Sequence, residues 1–348
     1  MCKEIQLLDC TLRDGGLGIE DYFKRNKKMP VFNQKIKDKI LGNLRKSKVD
    51  IIELGAIEVS KEDKTNMAIY QNIETISEQI PKEHSIKQMY AALYRGPDTD
   101  LKDIPEWNVN YCEIVRVILR YSELKKSLEF CEGLSKKGYK VFVQPMLTMR
   151  YSEQELNYLI DYVNYMNAYA LYFVDSYGYM NKENINYFTY KFNNKMKPEI
   201  KLGFHAHNNM NLAFANGIEF LSQEVNRDII IDSCLLGMGQ GAGNLQTELI
   251  ADYLIKNYKK DYNYEYILNA CEIIEKFTHK NAWGYTVMHL LPAINNTAYK
   301  YSVAMREEYR LTYAEINNIL KNMPIELKHR FTIENLQIVL NKNIKAIR

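Results

Sequence analysis

Residues 5–16 read IQLLDCTLRDGG, an apolar run that passes directly into a charged and glycine-rich segment. An apolar run of this length, bounded by polar residues, predicts a β-strand. Arg13 and Asp14 follow the strand, and Gly15 and Gly16 allow another part of the backbone to approach them closely. The two charged residues are either a surface ion pair on a loop or part of a site at the end of the strand.

The same apolar pattern recurs along the chain and alternates with segments of helical spacing. This alternation predicts a parallel sheet, and eight such units over about 260 residues predict a (β/α)8 TIM barrel, an α/β fold. In this fold the chemistry takes place where the C-terminal ends of the strands meet the loops that follow them. The predicted strands cover residues 5–10, 49–54, 87–93, 113–119, 139–146, 170–175, 200–207 and 228–236.

Helical spacing of apolar residues fills most of the intervals between these strands. The interval after the third strand contains Gly96, Pro97 and Pro105 and is the least helical. The predicted helices cover residues 33–46, 122–136, 152–166, 182–195, 212–222 and 245–258.

Residues 262–348 follow the last unit of the predicted barrel and have the pattern of several helices. They contain no linker rich in glycine, proline or serine. We therefore expect a barrel domain over residues 1–261 and a C-terminal helical region packed on it. Two amphipathic stretches, 262–277 and 312–322, are candidates to cover the barrel mouth or to form an oligomer interface.

The composition favours a small-molecule substrate. The 348 residues include 46 basic and 43 acidic side chains spread along the chain, so no one-sided field indicates binding to nucleic acid or to a membrane surface. Nothing approaches the roughly 20 apolar residues of a membrane span. Six cysteines without a CxxC pair, together with a charged N-terminus, predict free thiols in a cytoplasmic protein.

The predicted seventh strand ends in the sequence His205, Ala206, His207. Because alternate residues of a strand share a face, both imidazoles should point into the barrel mouth. Such a pair alone is more often structural than metal-binding. Together with Asp14, whose strand is separated from this one only by the eighth, it would offer one carboxylate and two imidazoles to Mn²⁺, Mg²⁺, Zn²⁺ or Fe²⁺.

Two further polar residues lie at strand ends. Asn244 follows the eighth strand in GMGQGAGN, where its amide would bind the metal or a substrate oxygen, or would simply cap a helix. Glu53 ends the second strand, and a buried carboxylate there needs a partner. Arg13 on the adjacent strand is the natural partner. Glu53 would either orient Arg13 or form a purely structural ion pair with it.

The sixth strand ends in VDSYG, which places Asp175 and Ser176 at the mouth. Ser176 would bind a substrate carboxylate, and Asp175 would hold a histidine or a water. Gln144 on the fifth strand and Arg116 and Arg120 on the fourth are further pocket candidates. None of the predicted strand ends carries the lysine of a Schiff-base aldolase, so aldol chemistry in this barrel would need a metal to stabilise the enolate.

Five motifs occur in the order DCTLRDGG, IIELG, VDSYG, GFHAHNNMNLAFAN and GMGQGAGN. In this order and at these strands they resemble the DRE-TIM metallolyase superfamily over roughly residues 5–255. The superfamily includes 4-hydroxy-2-oxovalerate aldolases, 3-hydroxy-3-methylglutaryl-CoA lyase and the isopropylmalate, homocitrate and citramalate synthases. The resemblance implies that Asp14, His205 and His207 are metal ligands, with Asn244 as a fourth.

The resemblance also implies that Arg13 stabilises the enolate oxygen, that Glu53 completes the Asp-Arg-Glu set, and that Mn²⁺ or Mg²⁺, with Zn²⁺ as an alternative, is the cofactor. The CoA-thioester lyases carry a catalytic cysteine in the loop before Asn244, where this chain has Met238 and Gln240. The loop also lacks the acidic residue and the arginine of the Claisen-type synthases. These differences favour the aldolase branch and a 4-hydroxy-2-oxo acid as substrate.

The hydroxy-oxovalerate aldolases carry a histidine three residues after the metal-binding aspartate, and this chain has Leu17 there. The group that accepts the proton is therefore open between Tyr22, Tyr177, Tyr285 and a metal-bound water. The segment WGY at 283–285 also resembles aldolase-domain proteins.

Two alternatives to the aldolase remain at this point. One is a synthase that joins an acyl-CoA to a 2-oxo acid, and the other is an inactive barrel that serves as a partner subunit. We also expect a homo-oligomer, and an aldehyde dehydrogenase is a candidate partner because aldolases of this family pass their aldehyde product to such an enzyme.

Overall fold

Eight parallel strands close into a barrel in the computed structural model of the chain, which describes residues 3–25, 30–59, 62–82, 87–278 and 283–347. The strands of the described chain are β1 (Ile5–Asp9), β2 (Ile51–Ile57), β3 (Ile69–Tyr70), β4 (Met89–Tyr94), β5 (Ile114–Leu119), β6 (Lys140–Pro145), β7 (Ala170–Asp175), β8 (Lys201–Ala206) and β9 (Ile229–Ser233). The order round the barrel is β1-β9-β8-β7-β6-β5-β4-β2, and β1 pairs with β2 to close it. The predicted TIM barrel and its eight strands are confirmed, with small shifts at their ends.

The short strand β3 is the one strand of the described chain that the sequence analysis missed. It pairs in parallel with the C-terminal end of β2, where Ala56 lies opposite Ile69. Two residues are too short a run to produce a recognisable period.

The helices of the described chain surround the barrel and continue beyond it. The predicted helices between the strands are all present, and the interval after β4 contains only a short 3-10 turn at Leu101–Asp103. No helix in the described ranges combines the length and the hydrophobicity that crossing a bilayer requires. The helices are α1 (Thr11–Lys24), α2 (Gln34–Ser47), α3 (Ile73–Ser77), α4 (Leu124–Lys136), α5 (Glu153–Tyr165), α6 (Lys182–Lys195), α7 (Ala213–Ser222), α8 (Thr247–Tyr258), α9 (Tyr264–Thr278), α10 (Val287–Ile294), α11 (Lys300–Glu307), α12 (Tyr313–Lys321), α13 (Ile325–Lys328) and α14 (Ile333–Ile347).

Helix α1 was not predicted, because its glycines weaken helix formation by about 1 kcal/mol each. The structure uses them for close packing instead. A Cβ atom on Gly16 would overlap the carbonyl oxygen of Met67, and a Cβ on Gly18 would lie 2.6 Å from the carbonyl oxygen of Gly239. Arg13 and Asp14 consequently lie in the first turn of a buried helix and not on a surface loop.

The interior of the barrel changes from apolar to charged along the strands. β5 carries Ile114 and then Arg116 on its inner face, and β9 carries Ile230 and then Asp232, because alternate residues of a strand share a face. The charged layer therefore lies beneath the mouth, on top of a closed apolar layer. That apolar layer contains Leu8, Ile51, Ala91, Ile114, Phe142, Ala170, Tyr172 and Ile230.

The helices after the barrel have two different locations. α9 packs against α2 and α8 on the side of the barrel, and its Ile267 and Ile274 are buried in the same apolar cluster as the barrel helices. Helices α10 to α14 form a separate core around Tyr301 and Leu320. We refer to residues 283–347 as the C-terminal unit.

The C-terminal unit lies over the mouth of the barrel. The Nζ atom of Lys300 donates to Oδ1 of Asp21, on α1, at 2.8 Å. The hydroxyl of Tyr177, just after β7, donates to the carbonyl of His329 at 3.3 Å. Of the two amphipathic stretches expected to cover the mouth or to form an interface, α9 lies on the side of the barrel and α12 lies within the C-terminal unit. The division of the chain at residue 261 stays a prediction.

The close contact at Gly16 makes a stability prediction. Gly16→Ala should lower the free energy of unfolding by about 1–3 kcal/mol, because its Cβ atom has no room. Gly42→Ala in α2 is the matched control, since nothing lies within 4 Å of the added atom, and it should be neutral or stabilising by up to about 1 kcal/mol. Urea denaturation of both variants measures the difference, and equal stabilities would contradict the packing of α1.

Candidate metal centre

Three side chains from distant parts of the sequence converge at the barrel mouth. Asp14 lies in the first turn of α1, His205 near the end of β8, and His207 just after it. Each offers one ligand atom, and these atoms all lie within 4.8 Å of one another. The barrel order brings them together, because only β9 separates β1 from β8. The structure thus assembles the predicted carboxylate and two imidazoles.

Both imidazoles are held with a nitrogen lone pair available. Nδ1 of His205 lies 2.8 Å from Oδ2 of Asp232, which leaves Nε2 directed at Asp14 at 4.0 Å. The ring of His207 lies beside the backbone carbonyl of Gln240. Burial, with Arg13 nearby, lowers the pKa of His205 well below its usual value, and burial lowers the pKa of His207 as well. Two neutral imidazoles fixed in this way are suited to bind a metal ion.

Asp14 is ionised in spite of its burial. Burial alone would raise its pKa, but the guanidinium of Arg13 beside it and the hydrogen bond from Asn244 lower the pKa to about 2. Nη1 of Arg13 donates to Oδ1 of Asp14 at 2.7 Å, and the amide nitrogen of Asn244 donates to Oδ2. The carboxylate is therefore available as an anionic ligand near neutral pH.

A chain of alternating charges connects this ligand set to the rest of the barrel. Nε of Arg13 donates to Oε2 of Glu53 at 2.8 Å, and Nη1 of Arg116 donates to the same oxygen at 2.6 Å. Nη2 of Arg116 donates to Asp232, which in turn contacts His205. The predicted pair of Arg13 and Glu53 is present, and it forms one end of this chain.

The charges of this cluster do not balance. Burial raises the pKa of Glu53 and of Asp232, and the guanidinium groups of Arg13 and Arg116 oppose that shift. With Asp14, Glu53 and Asp232 all ionised and the imidazoles neutral, the two guanidinium groups leave one negative charge in excess. A divalent cation together with a singly charged anionic substrate would neutralise it.

An unpartnered atom supports the same assignment. Within the described chain, Oδ1 of the buried Asn244 has no hydrogen-bond partner, although an oxygen in that setting costs free energy when unpaired. The donors present, one carboxylate, two neutral imidazoles and an amide, fit a divalent metal ion. Asp14, His205 and His207 would hold it, with Asn244 beside them.

The three other residues predicted to contact the substrate, Ser176, Gln144 and Asp175, have different surroundings. Ser176 accepts a hydrogen bond from the backbone of Leu147 at 2.9 Å and lines a narrow cleft that includes His329 of the C-terminal unit. Gln144 is buried inside the barrel, and its Nε2 atom has no partner in the described chain. Asp175 instead holds the turn after β7.

Both carboxylate oxygens of Asp175 accept backbone hydrogen bonds, from Tyr179 at 3.0 Å and from Met180 at 3.1 Å. Burial raises the pKa of Asp175 to about 7 in spite of these bonds. Asp175 therefore shapes the turn after β7, and a role towards substrate stays a prediction. Arg120 lies at the rim of the mouth, where it pairs with Asp98 and Glu123.

The residues considered as the base are engaged in other contacts or exposed to solvent. Leu17 packs in an apolar cluster with Ala56, Ile69 and Leu93, so the position of the aldolase histidine is an apolar wall. The hydroxyl of Tyr177 is directed at the C-terminal unit, and burial raises its pKa. Tyr22 packs edge-on against Trp283, and Tyr285 is 50% exposed.

Two residues of the centre were missed or undervalued by sequence reasoning. Asp232 received no role, and Arg116 was treated only as a pocket candidate. A signal was present, because each is an ionisable residue in the middle of an apolar strand, two positions after an inward-facing isoleucine. Such a residue needs a buried partner, but the sequence does not say which one.

The chain matches a family model described as HMGL-like over residues 4–274. The 4-hydroxy-2-oxovalerate aldolase of Chloroflexus aurantiacus is 25% identical over 253 residues, which cover 72% of this chain and 69% of that protein. The one from Geobacillus genomosp. 3 is 27% identical over 262 residues, which cover 72% of this chain and 71% of that protein. With that of Thermomicrobium roseum the identity is 39%, but the match spans only 26% of this chain and 24% of that protein.

Solved structures with the same fold include an HMG-CoA lyase from Bacillus subtilis. It has a TM-score of 0.61 and 17% sequence identity, and the match covers 79% of this chain and 94% of that chain. The carboxyl transferase domain of Rhizobium etli pyruvate carboxylase, solved with pyruvate, has a TM-score of 0.67 and 13% identity and covers 98% of this chain and 62% of that chain. At these identities the likeness concerns the fold alone.

The chain of charges makes a stability prediction. Arg116→Met should lower the free energy of unfolding by about 3–5 kcal/mol, because it leaves Glu53 and Asp232 buried without their shared cation. Arg120→Met, at the partly exposed residue just after the same strand, should cost less than about 1 kcal/mol. Equal losses for the two variants in chemical denaturation would contradict the arrangement.

Proposed function

The chain belongs to the HMGL-like family and is an enzyme of the carbon–carbon lyase class, and on this premise we propose that it is a metal-dependent aldolase acting on a 4-hydroxy-2-oxo acid. The observation that carries the proposal is the ligand set of Asp14, His205 and His207 beside the guanidinium of Arg13. The substrate class follows the curated relatives, which are named 4-hydroxy-2-oxovalerate aldolases.

The described strands also argue against Schiff-base chemistry. Two of them contain a lysine, Lys140 in β6 and Lys201 in β8, and each lies at the first residue of its strand. That end of the barrel is opposite to the mouth. Among the described residues, then, no strand lysine is placed to form an imine with a substrate at the metal centre.

As the 4-hydroxyl group loses its proton, the C=O bond of the aldehyde forms at C4 and the bond between C3 and C4 breaks. The electron pair left on C3 delocalises onto the oxygen of the 2-oxo group. A bound divalent cation supplies Lewis-acid stabilisation of that developing charge. Arg13 has further N–H donors besides the two that Glu53 and Asp14 accept, and we assign them to the same oxygen. Glu53 also accepts a hydrogen bond from Arg116, which fixes its carboxylate. The guanidinium of Arg13 is therefore held in place before negative charge develops on the 2-oxo oxygen.

The substrate carboxylate would lie towards β7. The Oγ atom of Ser176 accepts a hydrogen bond from the backbone N–H of Leu147. The hydroxyl of Ser176 can therefore donate its own proton to a carboxylate oxygen of the substrate. The apolar cluster of Leu17, Leu93 and Ile69 bounds the mouth on the opposite side, near β2 and β4. We assign the aldehyde half of the substrate to that wall. This apolar wall offers no side chain that accepts a proton. Beside it, the 4-hydroxyl proton would pass to a solvent molecule or to another group of the substrate.

Exchange of the methyl protons of pyruvate in D₂O tests the enolate directly. With Mg²⁺ or Mn²⁺ present, the methyl signal in the proton NMR spectrum should decay, and Asp14→Ala should abolish the decay because it removes the anionic ligand. Asp252→Ala is the control, since Asp252 lies on α8 and pairs with Lys256 at the surface. Exchange that persists in Asp14→Ala, or that ignores a chelator, would refute the metal-dependent enolate.

Cleavage of 4-hydroxy-2-oxovalerate tests the reaction class. Pyruvate released from it should be detected by coupling to lactate dehydrogenase, and Arg13→Lys should lower kcat by about 100- to 1000-fold. The loss should fall on kcat more than on KM, because the donors of Arg13 act on charge that develops only during cleavage. Release of thiol from an acyl-CoA and a 2-oxo acid, without cleavage of this substrate, would identify a synthase instead.

A further inference from the structure

A segment from outside the barrel holds the glycine-rich loop of residues 237–243, which follows β9. The indole Nε1 of Trp283 donates to the carbonyl oxygen of Gly239. The backbone N–H of Gly284 donates to the carbonyl oxygen of Ala242 at 3.0 Å. The loop is thus fixed at two points by the first residues of the C-terminal unit.

This loop lies directly on the candidate metal ligands. A Cβ atom on Gly239 would lie 2.8 Å from Oδ2 of Asp14 and would overlap the amide of Asn244. On its other side, Gly239 touches α1, where a Cβ on Gly18 would meet the Gly239 carbonyl. The backbone of Gly239 therefore forms part of the wall of the metal centre.

The next residue of the loop connects it to an imidazole. The backbone carbonyl of Gln240 lies beside the ring of His207, and the backbone N–H of Asn208 donates to the carbonyl oxygen of Gly243 at 2.8 Å. The side chain of Gln240 donates to Oδ2 of Asp21 at 3.3 Å, and that carboxylate also receives the hydroxyl of Tyr299 from the C-terminal unit. The backbone of residues 240–243 thus packs against His207 and its neighbour Asn208.

We propose that Trp283 is a positioning residue of the metal centre, which holds Gly239 and, through the loop, orients His207 and covers Asp14. The C-terminal unit is then a working part of the site and not only a cover over it. This inference rests on the metal-dependent function proposed above, and its test separates the two.

The chain contains only two tryptophans, which makes the proposal accessible to fluorescence. Trp107 is 36% exposed and lies in the segment before β5, where its backbone N–H donates to Lys137 at the C-terminal end of α4. Because strands begin at that face of the barrel, Trp107 lies at the opposite end from the metal ligands. The variant Trp107→Phe thus leaves Trp283 as a single reporter.

In the first experiment, Mn²⁺ is titrated into Trp107→Phe and into Trp283→Phe while the tryptophan emission is recorded. The emission of Trp283 should change with the metal concentration, and the emission of Trp107 should not. The titration of Trp107→Phe keeps the Trp283 contact intact, so the response of Trp283 is read without depending on the folding of a Trp283 variant.

In the second experiment, the affinity for Mn²⁺ is measured from the EPR signal of the free ion. Trp283→Phe keeps an aromatic ring but removes the N–H donor, and it should weaken Mn²⁺ binding by about 3- to 10-fold, while Trp107→Phe binds as the unmodified protein does. Circular dichroism checks that each variant is folded.

The outcomes separate the two claims. Absence of Mn²⁺ binding in the unmodified protein would overturn the proposed metal-dependent function. Normal binding in the unmodified protein, equal affinity in Trp283→Phe and an unresponsive Trp283 emission would overturn the positioning role alone. A metal-dependent emission of Trp283 together with weakened binding in Trp283→Phe is the expected result.

Discussion

Buried charge inside the barrel is the constraint on which the site depends. A carboxylate or guanidinium in the interior is strongly unfavourable unless it is paired and hydrogen-bonded. Glu53 and Asp232 share Arg116, which ties β2, β5 and β9 together beneath the mouth. Arg13 and His205 extend the same contacts to α1 and β8. A shift of any one of these strands would leave a buried charge without its partner, so the fold and the geometry of the site are determined together.

The same contacts decide the chemistry that the mouth can support. Asp232 holds one nitrogen of His205 and thereby exposes the other, while Arg13 keeps Asp14 ionised. The cluster has one negative charge more than its own cations can balance, next to an amide oxygen without a partner. A site with a net negative charge and neutral imidazoles is suited to bind a divalent ion. The loop held by Trp283 lies over this site.

The features predicted from sequence are those that depend on local periodicity. The strands have a clear apolar period, and the two-residue spacing of His205 and His207 places both on one face. The features that were missed depend on contacts between distant segments. The helix α1 forms in spite of its glycines because it packs against Met67 and Gly239, and the role of Asp232 becomes visible only when Arg116 and His205 are seen on either side of it. The location of the C-terminal unit over the mouth likewise depends on contacts such as that of Lys300 with Asp21.

The most direct test of the central claim is to count the histidines bound to the metal. Electron spin-echo envelope modulation of Mn²⁺ bound to protein labelled with ¹⁵N-histidine reports nitrogen atoms coordinated directly to the ion. The account predicts two coordinated histidine nitrogens in the unmodified protein, one in His207→Ala, and their retention when pyruvate is added. Mn²⁺ bound without any histidine coupling, or an unchanged spectrum in His207→Ala, would contradict the assignment of Asp14, His205 and His207 as the metal centre.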